Sequence, residues 1–115
     1  MTEIQQYRKD SAEWMEIGAL ESKYAEGLWY MEDGIPIDWH PDKDYNQMAM
    51  MEDKLIEEGL GIQITYYHQM KKWGIQIYKT GMSVGVGKSY SGTDKDKRIA
   101  FMKAFMEYYK QTKGI

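Results

Sequence analysis

The sequence predicts an α/β (α+β) fold: an antiparallel meander of three to four strands packed with helices, in the order α-β-α-β-β-β-α. Three observations predict it. Residues 42–58 carry apolar side chains at helical spacing. Residues 62–66, 73–77 and 82–86 alternate with a period of two, as half-buried strands do. Thr93-Asp94 then opens a last stretch of helical spacing that runs to residue 112.

In chain order, Trp14, Ile17, Leu20 and Tyr24 step by three, three and four, which predicts a helix over 11–25. Asp10 or Ser11 would cap it, and residues 1–10 would form an N-terminal arm. Gly18 weakens its interior. Leu28-Trp29-Tyr30-Met31 reads as a short edge strand, and Glu32-Asp33-Gly34-Ile35-Pro36 as turn and loop. Pro36 and Pro41 bracket Trp39 and stiffen the approach to the next helix. That helix, 42–58, takes Asp42 as its expected N-cap, with Asp44 in the first turn. Gly59 or Gly61 supplies its stop. In the meander, Ile62, Ile64, Ile75, Ile77, Val84 and Val86 form one face, expected to be buried on helices. Gln63, Thr65, Tyr67, Gln76 and Tyr78 fall on the other, which is polar, aromatic and glycine-rich. Ser91-Gly92-Thr93-Asp94 reads as the last loop, with Thr93 as N-cap of a helix over 94–112.

The length of 115 residues and a hydrophobic fraction of 43% suit one core, so residues 11–115 are expected to form a single domain. Leu and Val are scarce, while Met and Tyr are abundant, ten each. Such side chains fill irregular cores and also serve partly covered contact surfaces, which points to a homo-oligomer. The absence of cysteine excludes disulfides, thiolate catalysis and cysteine-based metal sites. A net charge of −3 with Lys and Glu intermixed speaks against nucleic acid as a partner. No apolar run approaches a membrane span, and Met1-Thr2-Glu3-Ile4-Gln5-Gln6 has neither the basic start nor the apolar stretch of a signal peptide. The expected location is the cytoplasm of a bacterial host.

The stretch from Ala19 to Tyr109 resembles the small phage proteins grouped as the phage ABA-sandwich domain. The pieces that carry the resemblance are Leu20-Glu21-Ser22-Lys23-Tyr24 before a turn and Trp39-His40-Pro41-Asp42-Lys43-Asp44 leading into a helix. They continue with the Trp73-Gly74 strand, Lys88-Ser89-Tyr90, and a Thr93-led helix carrying Ile99-Ala100 and Ala104. The resemblance implies a phage or prophage origin and an α/β sandwich, and it brings no catalytic residues.

Gly81 to Ser89 contains Gly87-Lys88-Ser89, but the Walker spacing would need a glycine where Met82 stands. Lys88-Ser89-Tyr90-Ser91-Gly92-Thr93, expected at a helix start, offers amides, hydroxyls and a cation to an anion. Asp38-x-His40-x-Asp42-x-Asp44 lacks the glycine and distal Glu of a calcium loop and reads better as capping than as a metal site. No elbow marks any serine as a nucleophile. The expectation is therefore a non-enzymatic binding protein without catalytic residues, metal or cofactor. It would act in phage counter-defence by sequestering a nucleotide-derived immune signal. Its anionic ligand would lie near Lys88, Ser89, Tyr90 and Thr93, with Trp39 or Tyr78 as the stacking ring. The alternatives are an anti-CRISPR-like inhibitor that docks on a host defence protein, or a structural phage protein without a small ligand.

Overall fold

A computed structural model describes residues 2–21, 27–79 and 89–113. The fold is mixed α/β, with three helices and two separate three-stranded antiparallel sheets among the described residues. The chain divides into two compact units, Met1–Met51 and Glu52–Ile115.

In the first unit, helix α1 spans Glu3–Met15. It therefore starts well before the expected residue 11, inside the stretch expected to be an arm. The cause is a reciprocal capping box: the Gln5 amide donates to Thr2 Oγ1 at 3.1 Å, and the Thr2 amide donates to Gln5 Oε1 at 2.8 Å. The helix stops at Glu16, which is left-handed, and Gly18 at φ +65° carries the chain away. The expected stripe is thus broken up: Trp14 closes the helix, Ile17 follows it and Leu20 begins strand β1 (Leu20–Glu21). Tyr24 lies outside the described residues. Strands β2 (Leu28–Glu32) and β3 (Ile35–Trp39) complete a sheet in the order β1-β2-β3. Leu28–Glu32 is thus the central strand and not an edge, and the expected loop at 32–36 is a tight hairpin. Asp33 and Gly34 both take positive φ, 52° and 79°, as a two-residue turn between twisted strands requires.

The start of helix α2 (Tyr45–Glu57) is capped by Asp44, not by Asp42. Asp44 Oδ1 accepts from the Asn46 and Gln47 amides at 2.8 and 3.2 Å. Asp42 is buried and accepts both Arg8 Nε and Nη2, at 2.8 and 2.9 Å. Beside that pair, Trp39 Nε1 donates to Ser11 Oγ at 2.9 Å, and Tyr7 Oη donates to Met51 Sδ at 3.3 Å. Gln47 ties the approach to α2 from both sides, donating to the Asp38 carbonyl and accepting from the His40 amide. The Trp39 indole, the His40 amide and the Asp42 carboxylate are therefore used internally, which makes this segment a structural corner.

The second unit holds the end of α2, strands β4 (Leu60–Tyr67), β5 (Lys72–Lys79) and β6 (Ser89–Asp94), and helix α3 (Lys97–Lys113). The sheet order is β4-β5-β6, all antiparallel, with Ile62 opposite Ile77, Ile64 opposite Ile75 and Ile77 opposite Tyr90. Two of the three expected strands lie where the alternation places them. The third expected run, 82–86, lies outside the described residues, as do Val84 and Val86. Among the described residues the third strand of this sheet is Ser89–Asp94, which takes in the expected loop at 91–94. Helix α3 lies across β6 and β5. It comes so close at Gly92 that an added Cβ would stand 2.5 Å from the Ala100 carbonyl oxygen and 2.6 Å from the Ala104 amide. Glycine on the strand and alanines on the helix permit that approach. Ile75 and Ile77, under the helix, are buried as expected. Ile62 is only half-buried and Ile64 is 40% exposed, because β4 lies beyond the helix.

Candidate functional site

The face of β4-β5-β6 turned away from α3 follows from the register. Gly61, Gln63, Thr65 and Tyr67 share it with Lys72, Gly74, Gln76 and Tyr78, and with Ser89, Ser91 and Thr93. It carries two tyrosines, two glutamines and four hydroxyl residues, with Lys72 as its charged member at one end. Gln76 Nε2 donates to Ser89 Oγ at 2.9 Å, which orients its amide across the sheet.

Both tyrosines are seated on glycines. A Cβ at Gly61 would meet Cζ, Cε2 and Oη of Tyr78 at 2.5, 2.7 and 2.8 Å. A Cβ at Gly74 would meet Cε2 of Tyr67 at 2.6 Å. Each ring thus leans over bare backbone, with its position set by the missing side chain beneath it. Tyr67 and Tyr78 remain 42% and 36% exposed, so both present ring surface to a ligand. Rings of fixed position flanked by amides and hydroxyls can stack a planar group and hydrogen-bond its edge.

Among the described residues, the expected cradle members Ser89 to Thr93 do not lie at the start of the last helix. Helix α3 begins at Lys97, and Thr93 is a strand residue on the polar face. The helix start is served by the protein's own carboxylates: Asp96 N donates to Asp94 Oδ2 at 2.9 Å, and Arg98 N donates to Asp96 Oδ1 at 2.8 Å. The Asp96 amide holds Asp94 below the usual carboxylate range, with Lys103 adding to the effect. For Asp96, burial pulls upward, but the hydrogen bonds from Arg98 prevail and the group is also lowered. Asp94 pairs with Lys103 at 3.2 Å and Asp96 with Arg98 at 3.3 Å, so the amides and cations of this helix start are already engaged by the protein's own carboxylates.

The other expected site residues scatter. Ser89 and Tyr78 sit together on the polar face, as opposed residues of β6 and β5. Tyr90 points to the opposite face, where its ring meets Tyr108 edge-on at 5.6 Å. Trp39 is 1% exposed, packed edge-on to Tyr30 and bonded to Ser11, so it offers no stacking surface. Lys88 lies outside the described residues. The Asp38–Asp44 run does not converge, since Asp42 faces Arg8 and Asp44 caps α2. Among the described residues no group of three or more His, Asp or Glu is placed to hold a metal ion.

Two further features lie in this unit. An open cleft of about 420 Å³ is lined by Ser89, Tyr90, Ser91, Glu107 and Gln111. At the other end, Lys97 Nζ lies 5.4 Å from the Trp73 ring centroid, and Trp73 meets Tyr66 edge-on at 5.0 Å. Near Lys97, burial raises the Glu52 carboxyl above its ordinary value, Lys97 opposes that rise and Asp53 adds to it.

No family model, curated protein or solved structure matches this chain. No helix among the described residues is long and apolar enough to cross a membrane.

Proposed function

We propose that the protein is a non-catalytic binding module that captures a ring-containing, nucleotide-derived ligand on the polar face of β4-β5-β6. The observation that carries this reading is the pair of glycine-seated rings, Tyr78 over Gly61 and Tyr67 over Gly74, on a face with amide and hydroxyl neighbours. Tyr78 is the stacking ring. Gln63, Gln76, Ser91 and Thr93 supply donors and acceptors for the edge of a base or a ribose. Lys72 is the cation for an anionic group. The reading keeps Tyr78, Ser89 and Thr93 from the sequence expectation and replaces the helix-start cradle with the sheet face. Its place in phage counter-defence is proposed on the resemblance to the phage ABA-sandwich domain and on no single residue.

Calorimetric titration with cyclic and ADP-ribose-type nucleotides tests the reading. At least one member is expected to bind the parent chain, and Tyr78→Ala is expected to weaken it by about 1–3 kcal/mol, the worth of one stacked base. Lys72→Ala is expected to weaken it less, by an amount that shrinks as salt rises. Silence across the panel would remove the nucleotide reading and favour the inhibitor of a host protein.

A further inference from the structure

We propose that β4 pairs with β4 of a second copy of this chain, antiparallel about a two-fold axis, joining two three-stranded sheets into one of six strands. Three features of β4 carry the inference.

The first is an unguarded edge. Among the described residues β4 is bonded to β5 alone. Edge strands of soluble proteins are normally blunted by lysine, proline, a bulge or shortness. Leu60-Gly-Ile-Gln-Ile-Thr-Tyr-Tyr67 has no charge and no proline, and its eight residues pair with β5 without a bulge. The opposite edge, β6, is shorter and ends on Asp94.

The second is an apolar strip that α3 leaves open. Ile62, Ile64 and Tyr66 share the helix-side face, and Ile64 and Tyr66 are 40% and 36% exposed. A two-fold axis normal to the sheet keeps this face common to both copies. With the axis at Ile64, that residue meets its own counterpart, and Ile62 falls opposite Tyr66 of the second copy. On the polar face Gln63 then falls opposite Thr65. Each open strip covers the other.

The third is charge, which selects a second copy over an unrelated strand. Exposed Glu57 and Glu58 precede β4, and exposed Lys71 and Lys72 follow it. Antiparallel self-pairing sets the acidic start of one copy beside the basic end of the other, at both ends at once. An isologous contact of this kind closes on itself as a dimer.

Sedimentation velocity of the full chain from about 1 µM to about 200 µM tests the inference, since dimer population follows protomer concentration. The expected species is twice the 13.6 kDa of one chain. Ile64→Lys and Ile64→Glu, each setting like charges against one another at the axis, are expected to be folded monomers by circular dichroism. Their equimolar mixture is expected to sediment as the dimer. Ile64→Thr, uncharged and still β-branched, is expected to raise the dimer dissociation constant about tenfold by shrinking the apolar contact. Ile35→Lys, at a site 61% exposed on β3, is the control and stays dimeric. A monomeric parent at the highest concentration would overturn the inference. So would an unchanged dissociation constant in Ile64→Thr, or folded Ile64→Lys and Ile64→Glu chains that stay apart when mixed.

Discussion

Replacing Asp42 with Asn should destabilise the protein by about 3 kcal/mol, because the substitution leaves Arg8 charged without its partner. The magnitude follows from burial. The Asp42 side chain is 1% exposed and that of Arg8 is 17% exposed, and the two are joined by bonds of 2.8 and 2.9 Å. Breaking a buried pair from one side costs about 3–5 kcal/mol. The residual exposure of Arg8 lets water reach the orphaned guanidinium, which sets the expectation at the lower end. Lys9 and Glu21 provide the contrast at 3.5 Å, with side chains 51% and 73% exposed. Glu21→Gln should cost well under about 1 kcal/mol, as exposed pairs do. Urea denaturation followed by tryptophan fluorescence is the assay. With a slope of about 1.5 kcal/mol per molar, the Asp42→Asn midpoint falls about 2 M below the parent. The double variant Arg8→Met/Asp42→Leu should recover to within about 1 kcal/mol, since no charge is then left buried. An Asp42→Asn midpoint within roughly 0.5 M of the parent, as an exposed pair would give, would refute the reasoning.

The remaining predictions concern the second unit. Ile75→Ala and Ile77→Ala, at buried positions under α3, should each cost about 2–5 kcal/mol, whereas Ile64→Ala should cost less than about 1 kcal/mol in the monomer. Equal losses at all three would mean that α3 does not set which isoleucines are buried. Glu52 gives a pH prediction. Its folded-state pKa is raised, chiefly by burial, so the native state holds that proton more tightly than the unfolded chain does. The resulting stability is fully present below the ordinary glutamate value and is lost as pH rises through the raised one. Glu52→Gln should therefore melt higher than the parent at neutral pH, by a margin that closes on acidification. Parallel melting curves across that window would contradict the shift.

The period-two alternation of 62–66 and 73–77 is sufficient to place β4 and β5 and to separate their aliphatic and polar faces. It also makes Tyr67 and Tyr78 face-mates. The sequence is less informative wherever a local cap or turn outweighs periodicity. Thr2 and Gln5 start α1 early through hydrogen bonds that an apolar stripe does not register. Asp33-Gly34 is a hairpin signal, but Pro36 two residues on makes the segment read as loop; β3 tolerates that proline at the sheet edge. The misplaced helix-start cradle has one cause. Ser91-Gly92-Thr93-Asp94 is built of residues typical of loops, yet β5 recruits it into the strand Ser89–Asp94, and the helix start moves to Lys97. Thr93 thereby becomes a face residue, and Asp94 and Asp96 take over the helix start. Trp39 reads as a free ring in the sequence because its partners, Ser11 and Tyr30, are distant along the chain. Gly61 and Gly74 carry a usable signal, since each stands in register with or diagonal to a tyrosine across the hairpin.

Aromatic carbon–proton spectra recorded as the tightest-binding nucleotide of the panel is added test the central claim most directly. The ring signals of Tyr78, and to a smaller extent Tyr67, should move with saturation, while the ring carbon–proton signals of Trp39, whose indole is held by Ser11, stay in place. Gly61→Ala, whose new Cβ occupies the seat of the Tyr78 ring, should weaken binding with the fold retained. Saturable binding that shifts other signals and leaves both tyrosine rings unmoved would contradict the account.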